Sequence, residues 1–216
     1  MKRRDDVLFT AASALGAMVL LLVLMGCEPD QGTDTGNALT VEFAVRGDTT
    51  APQARELGTL TSATMLLNTI EYYDCASAGE VDFTGEFEND LLARTVLGTR
   101  EVEFDAVCGV EMEAENPAGD TIVATGTTPL GTLFDFSTTM GIEAEIETDD
   151  PAGFPLVDGR LTRIDIVFDL DAWFDVDLDA GVITGDTILI SADDNADLHA
   201  AIEERILADG ALERED

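Results

Sequence analysis

Apolar and polar residues alternate with a period of two along most of the chain, and this alternation constrains the fold more than any other feature of the sequence. The clearest case runs from Thr162 to about Leu178. Eight apolar residues of this stretch share one parity: Ile164, Ile166, Phe168, Leu170, Ala172, Phe174, Val176 and Leu178. Because successive side chains of a strand point to opposite faces of a sheet, the pattern predicts a half-buried strand. A strand of this length must bend or break, and we expect the break near residues 172–174.

Shorter candidate strands lie between clusters of Gly, Asp and Asn, most of them by the same alternation and residues 60–73 by their Thr, Ile and Tyr content. They are found at residues 39–46, 60–73, 81–88, 102–112, 122–124, 133–136, 142–147 and 182–190. Within the second of these, the part from Ala63 to Leu67 is also compatible with a helix. Short strands separated in this way are typical of an antiparallel sandwich or barrel.

Helical periodicity appears only near the end of the chain. Leu198, Ile202 and Ile206 recur at intervals of four, which predicts a helix over about 195–208. The acidic tail from Glu213 is expected to fray. Residues 39–216 are therefore predicted to form one all-β domain, a mainly antiparallel β-sandwich with one C-terminal helix.

The amino terminus carries an export pattern. Basic residues 2–4 precede an apolar run that ends at Leu24-Met25-Gly26-Cys27, and an abruptly polar segment follows. This order resembles a secretory signal that ends in the lipobox of bacterial lipoproteins, with Leu24, Gly26 and Cys27 at the positions of the motif and Met25 a less usual residue. The resemblance implies cleavage before Cys27 and attachment of a diacylglyceryl group and palmitate-type acyl chains to that residue. An uncleaved transmembrane helix is the alternative, since roughly twenty apolar residues can span a bilayer.

The lipoprotein interpretation divides the chain into three parts. Residues 1–26 are a signal peptide, residues 27–38 a flexible tether, and residues 39–216 the folded domain. The acyl chains make the lipid bilayer the first expected partner. The resemblance also implies a location in the cell envelope, at the outer membrane of a Gram-negative bacterium.

Two segments of the body carry a further resemblance. The runs 83–87 (FTGEF) and 168–174 (FDLDAWF) are similar to segments of uncharacterised lipoproteins from marine and predatory Gram-negative bacteria. Those proteins look like β-sandwiches and have no agreed activity. The resemblance therefore implies a fold and a location, and it implies no catalytic residue.

The acidic excess excludes one class of partner. The chain has 45 Asp and Glu residues against 11 Lys and Arg, which gives a formal net charge of −34 at pH 7. Such a chain repels polyanionic surfaces, which include nucleic acid backbones and anionic lipid surfaces, so neither of these is an expected partner. A saline habitat and a genomic composition bias both account for the excess.

Cys75 and Cys108 lie in the part of the chain that is expected to be exported. Thiols outside the cytoplasm tend to be oxidised, and two cysteines allow one intramolecular pairing, so a disulfide is predicted. Two buried free thiols are the alternative. The chain has no C-x-x-C spacing, and a zinc or redox role is therefore not expected.

Alternating carboxylates suggest a cation site. Asp175, Asp177 and Asp179 precede Gly181, and Asp186 follows the glycine. This arrangement is similar to a calcium-binding loop, although the glycine is at the seventh position rather than the sixth, the twelfth position is Asp rather than Glu, and no helix precedes it. The alternative is that these aspartates are the solvent-facing side of a strand. Calcium is the one cofactor that the sequence suggests.

Trp173 is the other candidate for ligand binding. By parity it lies on the face of the aspartates, whereas Phe174 faces the core. An exposed tryptophan can stack on a sugar ring. Coverage by a loop or by the C-terminal helix is the alternative.

No set of residues in the sequence indicates catalysis. His199 has no serine or cysteine partner that can be argued for, and no pair of carboxylates is singled out. We therefore expect no enzymatic activity. Two functions stay open: a module that binds calcium, a glycan or an envelope protein, and a structural, acidic envelope lipoprotein with no small-molecule ligand.

Overall fold

A computed structural model of the chain describes residues 39–49, 58–76 and 79–215. The predicted signal peptide, the tether and the lipidation residue Cys27 lie outside the described residues. Among those residues, no helix has the length and apolar character needed to cross a membrane.

The described residues form strands and two short helices, so the fold is all-β as predicted. The strands are β1 (Leu39–Asp48), β2 (Thr59–Asp74), β3 (Glu80–Asp90), β4 (Thr95–Val102), β5 (Ala106–Ala114), β6 (Ile122–Thr127), β7 (Leu133–Thr138), β8 (Ile142–Glu147), β9 (Phe154–Pro155), β10 (Leu161–Asp169), β11 (Ile183–Thr184), β12 (Thr187–Ile190) and β13 (Ala211–Glu215). The helices are α1 (Leu170–Trp173) and α2 (Ala196–Leu207), and a 3-10 turn covers Leu178–Ala180.

The strands are arranged in two mixed sheets. The smaller sheet has the order β13-β10-β1-β4, and the larger has the order β11-β12-β7-β6-β2-β5-β8, with β3 also paired to β2 and β9 to β5. The pairs β1–β10 and β7–β12 are parallel, and the other described pairs are antiparallel. The long strand β2 has β3 along one side, and along its other side β6 is followed by β5.

The apolar faces of both sheets contribute to one hydrophobic core. Phe43 of β1 contacts Tyr72 of β2 with ring centroids 4.2 Å apart, and Phe83 of β3 lies 5.5 Å from Phe43. All three rings are buried. These aromatic contacts across the two sheets bury large apolar surfaces and so supply much of the hydrophobic stabilisation.

The outer face of the smaller sheet holds a buried carboxylate that is paired with two arginines. Asp165 of β10 is buried, and Arg94 donates to it from Nε at 2.9 Å and from Nη2 at 2.7 Å. Arg46 approaches the same carboxylate at 3.3 Å, and Arg94 also binds Glu42 at 2.8 Å. An unpaired buried carboxylate would be costly, so these two arginines make the burial of Asp165 tolerable.

The strand predicted from Thr162 to Leu178 breaks, as expected, but the break comes after Asp169 rather than at residues 172–174, and no strand continues to Leu178. Strand β10 ends at Asp169, whose side chain accepts a hydrogen bond from Ala172 N at 3.0 Å and caps α1. An aspartate at this position favours helix initiation because it satisfies a free N–H group of the first turn. The 3-10 turn follows α1. The alternation of apolar residues thus extends further along the sequence than the strand does.

Two further expectations for the end of the chain need correction, and one is confirmed. The stretch 182–190 is a hairpin of β11 and β12 rather than one strand, with Gly185 at φ 69° in the turn. The tail does not fray, because Ala211–Glu215 forms β13 and pairs with β10. The predicted helix is present as α2, Ala196–Leu207.

Candidate cation-binding face

Four neighbouring strands of the larger sheet bring carboxylates together on their outer surface. Asp82 of β3 is paired with Glu71 of β2, Glu71 with Glu111 of β5, and Glu111 with Glu145 of β8. Adjacent strands lie about 4.8 Å apart, so these four side chains form a row across the sheet. We call the outer surface of β3, β2, β5 and β8 the acidic face.

The rows on either side of this one are also rich in acids. They consist of Glu80, Tyr73, Gly109 and Glu147 on one side, and Thr84, Thr69, Glu113 and Glu143 on the other. None of these twelve positions holds an arginine or a lysine. The residues between them, such as Ile70, Val110 and Ile146, are buried in the core. The period of two therefore sends one set of side chains inward and leaves the acids at the surface.

Three carboxylates of the acidic face converge. Oxygen atoms of Glu71, Glu80 and Asp82 lie within 4.8 Å of one another, and this is the one such group of potential metal ligands among the described residues. The pKa of Glu71 is raised, first by partial burial and then by the negative charges of Glu80 and Asp82 and a hydrogen bond with Glu80. A proton or a cation at this position relieves the repulsion, and oxygen ligands of this kind suit Ca²⁺ or Mg²⁺.

The side chain of Tyr73 reaches from β2 over Gly109 of β5 to Glu145 of β8. Gly109 leaves room for it, since a Cβ atom there would lie 2.1 Å from the Tyr73 hydroxyl oxygen. The hydroxyl donates to Glu145 Oε1 at 3.1 Å. Partial burial, this hydrogen bond and the neighbouring carboxylates raise the pKa of Tyr73 to about 12, so at neutral pH the phenol remains a hydrogen-bond donor.

The predicted disulfide between Cys75 and Cys108 is present, with the two Cα atoms 4.9 Å apart. It lies directly beside the acidic face, because Tyr73 pairs with Gly109 and the next pair is Asp74 with Val107. Cys108 is therefore the extra residue of a β-bulge in β5. The bond covalently joins the residue that follows β2 to β5, the neighbouring strand of the acidic face.

The sequence-predicted calcium residues are not brought together. Asp175 is exposed and lies 3.5 Å from Arg205, and Asp177 and Asp186 are exposed in turns. Asp179 accepts a hydrogen bond from a threonine hydroxyl at 2.5 Å. Among the described residues, no three of these four carboxylates converge within 4.8 Å, and none of the four belongs to the acidic face.

Trp173 does not provide a stacking surface. Its side chain is fully buried in α1, its ring lies 5.4 Å from that of Phe168, and Nε1 donates to Asp209 Oδ2 at 2.6 Å. The parity argument for an exposed position is wrong because Trp173 is helical, and the alternative of a covered side chain is the observed arrangement. His199 is also buried, with Nε2 3.5 Å from Glu203 Oε1 on the same helix.

No protein-family model, no curated protein and no solved structure matches the chain. What the chain binds must therefore be inferred from the chemistry of its own side chains.

Proposed function

We propose that the protein is a membrane-anchored, extracytoplasmic lipoprotein, attached to the bilayer of the cell envelope through Cys27, and that residues 39–216 are a ligand-binding module. The Cys75–Cys108 disulfide is the observation that carries the proposal, because structural disulfides persist outside the cytoplasm and are rare inside it. The lipobox pattern at residues 24–27 supports the anchor.

The anchor has a direct test. The protein is isolated from the membrane fraction and its intact mass is measured, with a Cys27→Ala variant as the control. We expect loss of residues 1–26 and a mass increase that corresponds to a diacylglyceryl group and further acyl chains. An unprocessed chain without acyl groups would contradict the proposal.

The ligand that we assign to the acidic face is calcium. The cross-strand row pairs like charges, which destabilises a sheet, and the convergence of Glu71, Glu80 and Asp82 offers several oxygens at one place. These side chains are exposed or half-buried, so the site resembles a weak extracellular one with a Kd on the order of 1 mM. At 10 mM calcium, such a site would stabilise the folded state by about 1.4 kcal/mol.

Two matched variants locate the site. Glu71→Gln/Asp82→Asn removes two charges from the acidic face, and Asp177→Asn/Asp186→Asn removes two charges from the aspartate-rich turns. Each is melted with and without 10 mM calcium chloride, at an ionic strength matched with sodium chloride. We expect calcium to raise the Tm of the wild type and of the turn variant, and to leave that of the acidic-face variant unchanged.

Other results would contradict this assignment. Loss of the calcium effect in the turn variant alone would move the site to the aspartate-rich turns. Equal responses in all three proteins would mean that calcium acts through general charge screening, and no response in any of them would favour a structural, acidic envelope lipoprotein without a ligand.

We also propose that the domain is a mainly antiparallel β-sandwich. This description is supported by the common core of the two sheets and by the antiparallel direction of most described strand pairs. Two layers with a common core are the usual architecture of such domains.

A further inference from the structure

Exposed apolar side chains lie beside the residue at which the predicted tether joins the domain. Strand β1 begins at Leu39, and Leu161 at the beginning of β10 is paired with the next residue of β1. Leu161 is 47% exposed and Val157 is 45% exposed. Val157 begins a tight turn, in which Arg160 N donates to Val157 O at 3.1 Å, and Leu161 follows this turn directly as the first residue of β10. We call residues 157–161 the tether-side loop.

Arginines accompany these apolar side chains. Arg160 and Arg163 are exposed on either side of Leu161. Arg163 Nε lies 3.3 Å from Glu42, and Asp158 is also exposed in the loop, so this surface combines both signs of charge. Guanidinium groups bind phosphate oxygens well, and apolar side chains enter the boundary between headgroups and acyl chains. The tether-side loop offers both, whereas the twelve positions of the acidic face include no arginine or lysine.

The predicted tether limits how far Leu39 can lie from the membrane. Residues 27–38 reach at most about 40 Å when fully extended, and less on average for a flexible chain. A tether of this length holds the loop beside Leu39 at a high effective concentration near the lipid surface. Weak contacts that would not hold a free protein can then set the orientation of the anchored domain.

We propose that the tether-side loop docks on a zwitterionic phospholipid surface and orients the domain, with Val157 and Leu161 entering the headgroup boundary and Arg160 and Arg163 contacting phosphate groups. The inference rests on the lipid anchor of the proposed function.

Tryptophan fluorescence in vesicles tests the docking. Val157→Trp and, as a matched control, Leu130→Trp are made in the full-length, lipidated protein. Leu130 is 83% exposed in the turn between β6 and β7, near the beginning of β2, whereas the tether-side loop lies near the end of that strand. The native Trp173 is fully buried and contributes a constant background. Each variant is reconstituted into phosphatidylcholine vesicles with and without brominated lipid.

We expect brominated lipid to quench the added fluorescence of Val157→Trp at least twofold more than that of Leu130→Trp. Adding Leu161→Asp to Val157→Trp should remove most of the difference, while circular dichroism shows an unchanged fold. Equal quenching at the two positions in protein that floats with the vesicles would overturn the docking and leave the anchor intact. Protein that does not float with the vesicles would contradict the anchor and the docking together.

Discussion

Removal of the Cys75–Cys108 disulfide should destabilise the domain by an amount that follows from the chain separation. The two cysteines are 33 residues apart. In the chain-entropy model a closed loop of this size stabilises the folded state by about 3.7 kcal/mol at 25 °C, because the cross-link restricts the unfolded chain. The closed loop contains β3 and β4, which belong to different sheets of the folded domain, so the cross-link restricts segments of both sheets while the chain is unfolded.

Urea denaturation of the full-length Cys75→Ser/Cys108→Ser variant measures this loss. We expect a free energy of unfolding about 3.7 kcal/mol below that of the wild type and a Tm roughly 7–15 °C lower. Wild-type protein treated with dithiothreitol should give the same values as the variant, because the two samples lack the same cross-link.

A variant whose stability lies within about 1 kcal/mol of the oxidised wild type would refute the reasoning. It would mean either that the bond does not form in the protein or that the unfolded chain is already as compact as the cross-linked one. Intact mass with and without thiol alkylation distinguishes these two explanations, since a formed disulfide protects both cysteines.

Two further predictions concern charged groups. Arg94→Ala should cost about 3 kcal/mol of stability in urea denaturation, because it leaves the buried Asp165 with Arg46 alone, and Arg94→Ala/Asp165→Asn should recover part of the loss. The raised pKa of Glu71 means that the folded protein holds the carboxyl proton of Glu71 more tightly than the unfolded chain does. The contribution of Glu71 to stability is therefore highest below the ordinary pKa of 4.5, and it falls as the pH rises through the raised pKa of the folded state. Glu71→Gln should therefore stabilise the calcium-free protein by about 1 kcal/mol at pH 7, roughly 0.5 kcal/mol for each of its two opposing carboxylates, and by nothing near pH 3. Urea denaturation at the two pH values checks this, and a gain that is equal at both would contradict it.

Local patterns were sufficient where a segment's own residues decide its structure. The period of two around Leu39 and around Ile142 predicted β1 and β8, because one face of each strand is buried and the other is solvated. The interval of four from Leu198 predicted α2. The disulfide was predictable because two cysteines in a domain that is expected to be exported allow a single pairing.

The same patterns failed where a competing contact decided the structure. Alternation continues through residues 162–178, but capping by Asp169 and burial of Trp173 against Asp209 convert the middle of this stretch into a helix. The tail, which was expected to fray from Glu213, contains few apolar residues. It forms β13 because the edge of β10 offers unpaired backbone groups.

The sequence by itself determined an all-β domain with a helix near its carboxyl end, and it determined that the acids alternate with the core residues. Only the tertiary structure decided which acids are neighbours. Glu71, Glu80 and Asp82 converge because β3 pairs with β2 in one register, and a shift of one residue would place the opposite set of side chains on that surface. The aspartates from Asp175 to Asp186 are close in sequence but diverge in space, because turns rather than one loop carry them. Strand pairing between distant segments depends on the packing of the whole core, and periodicity within one segment does not specify it.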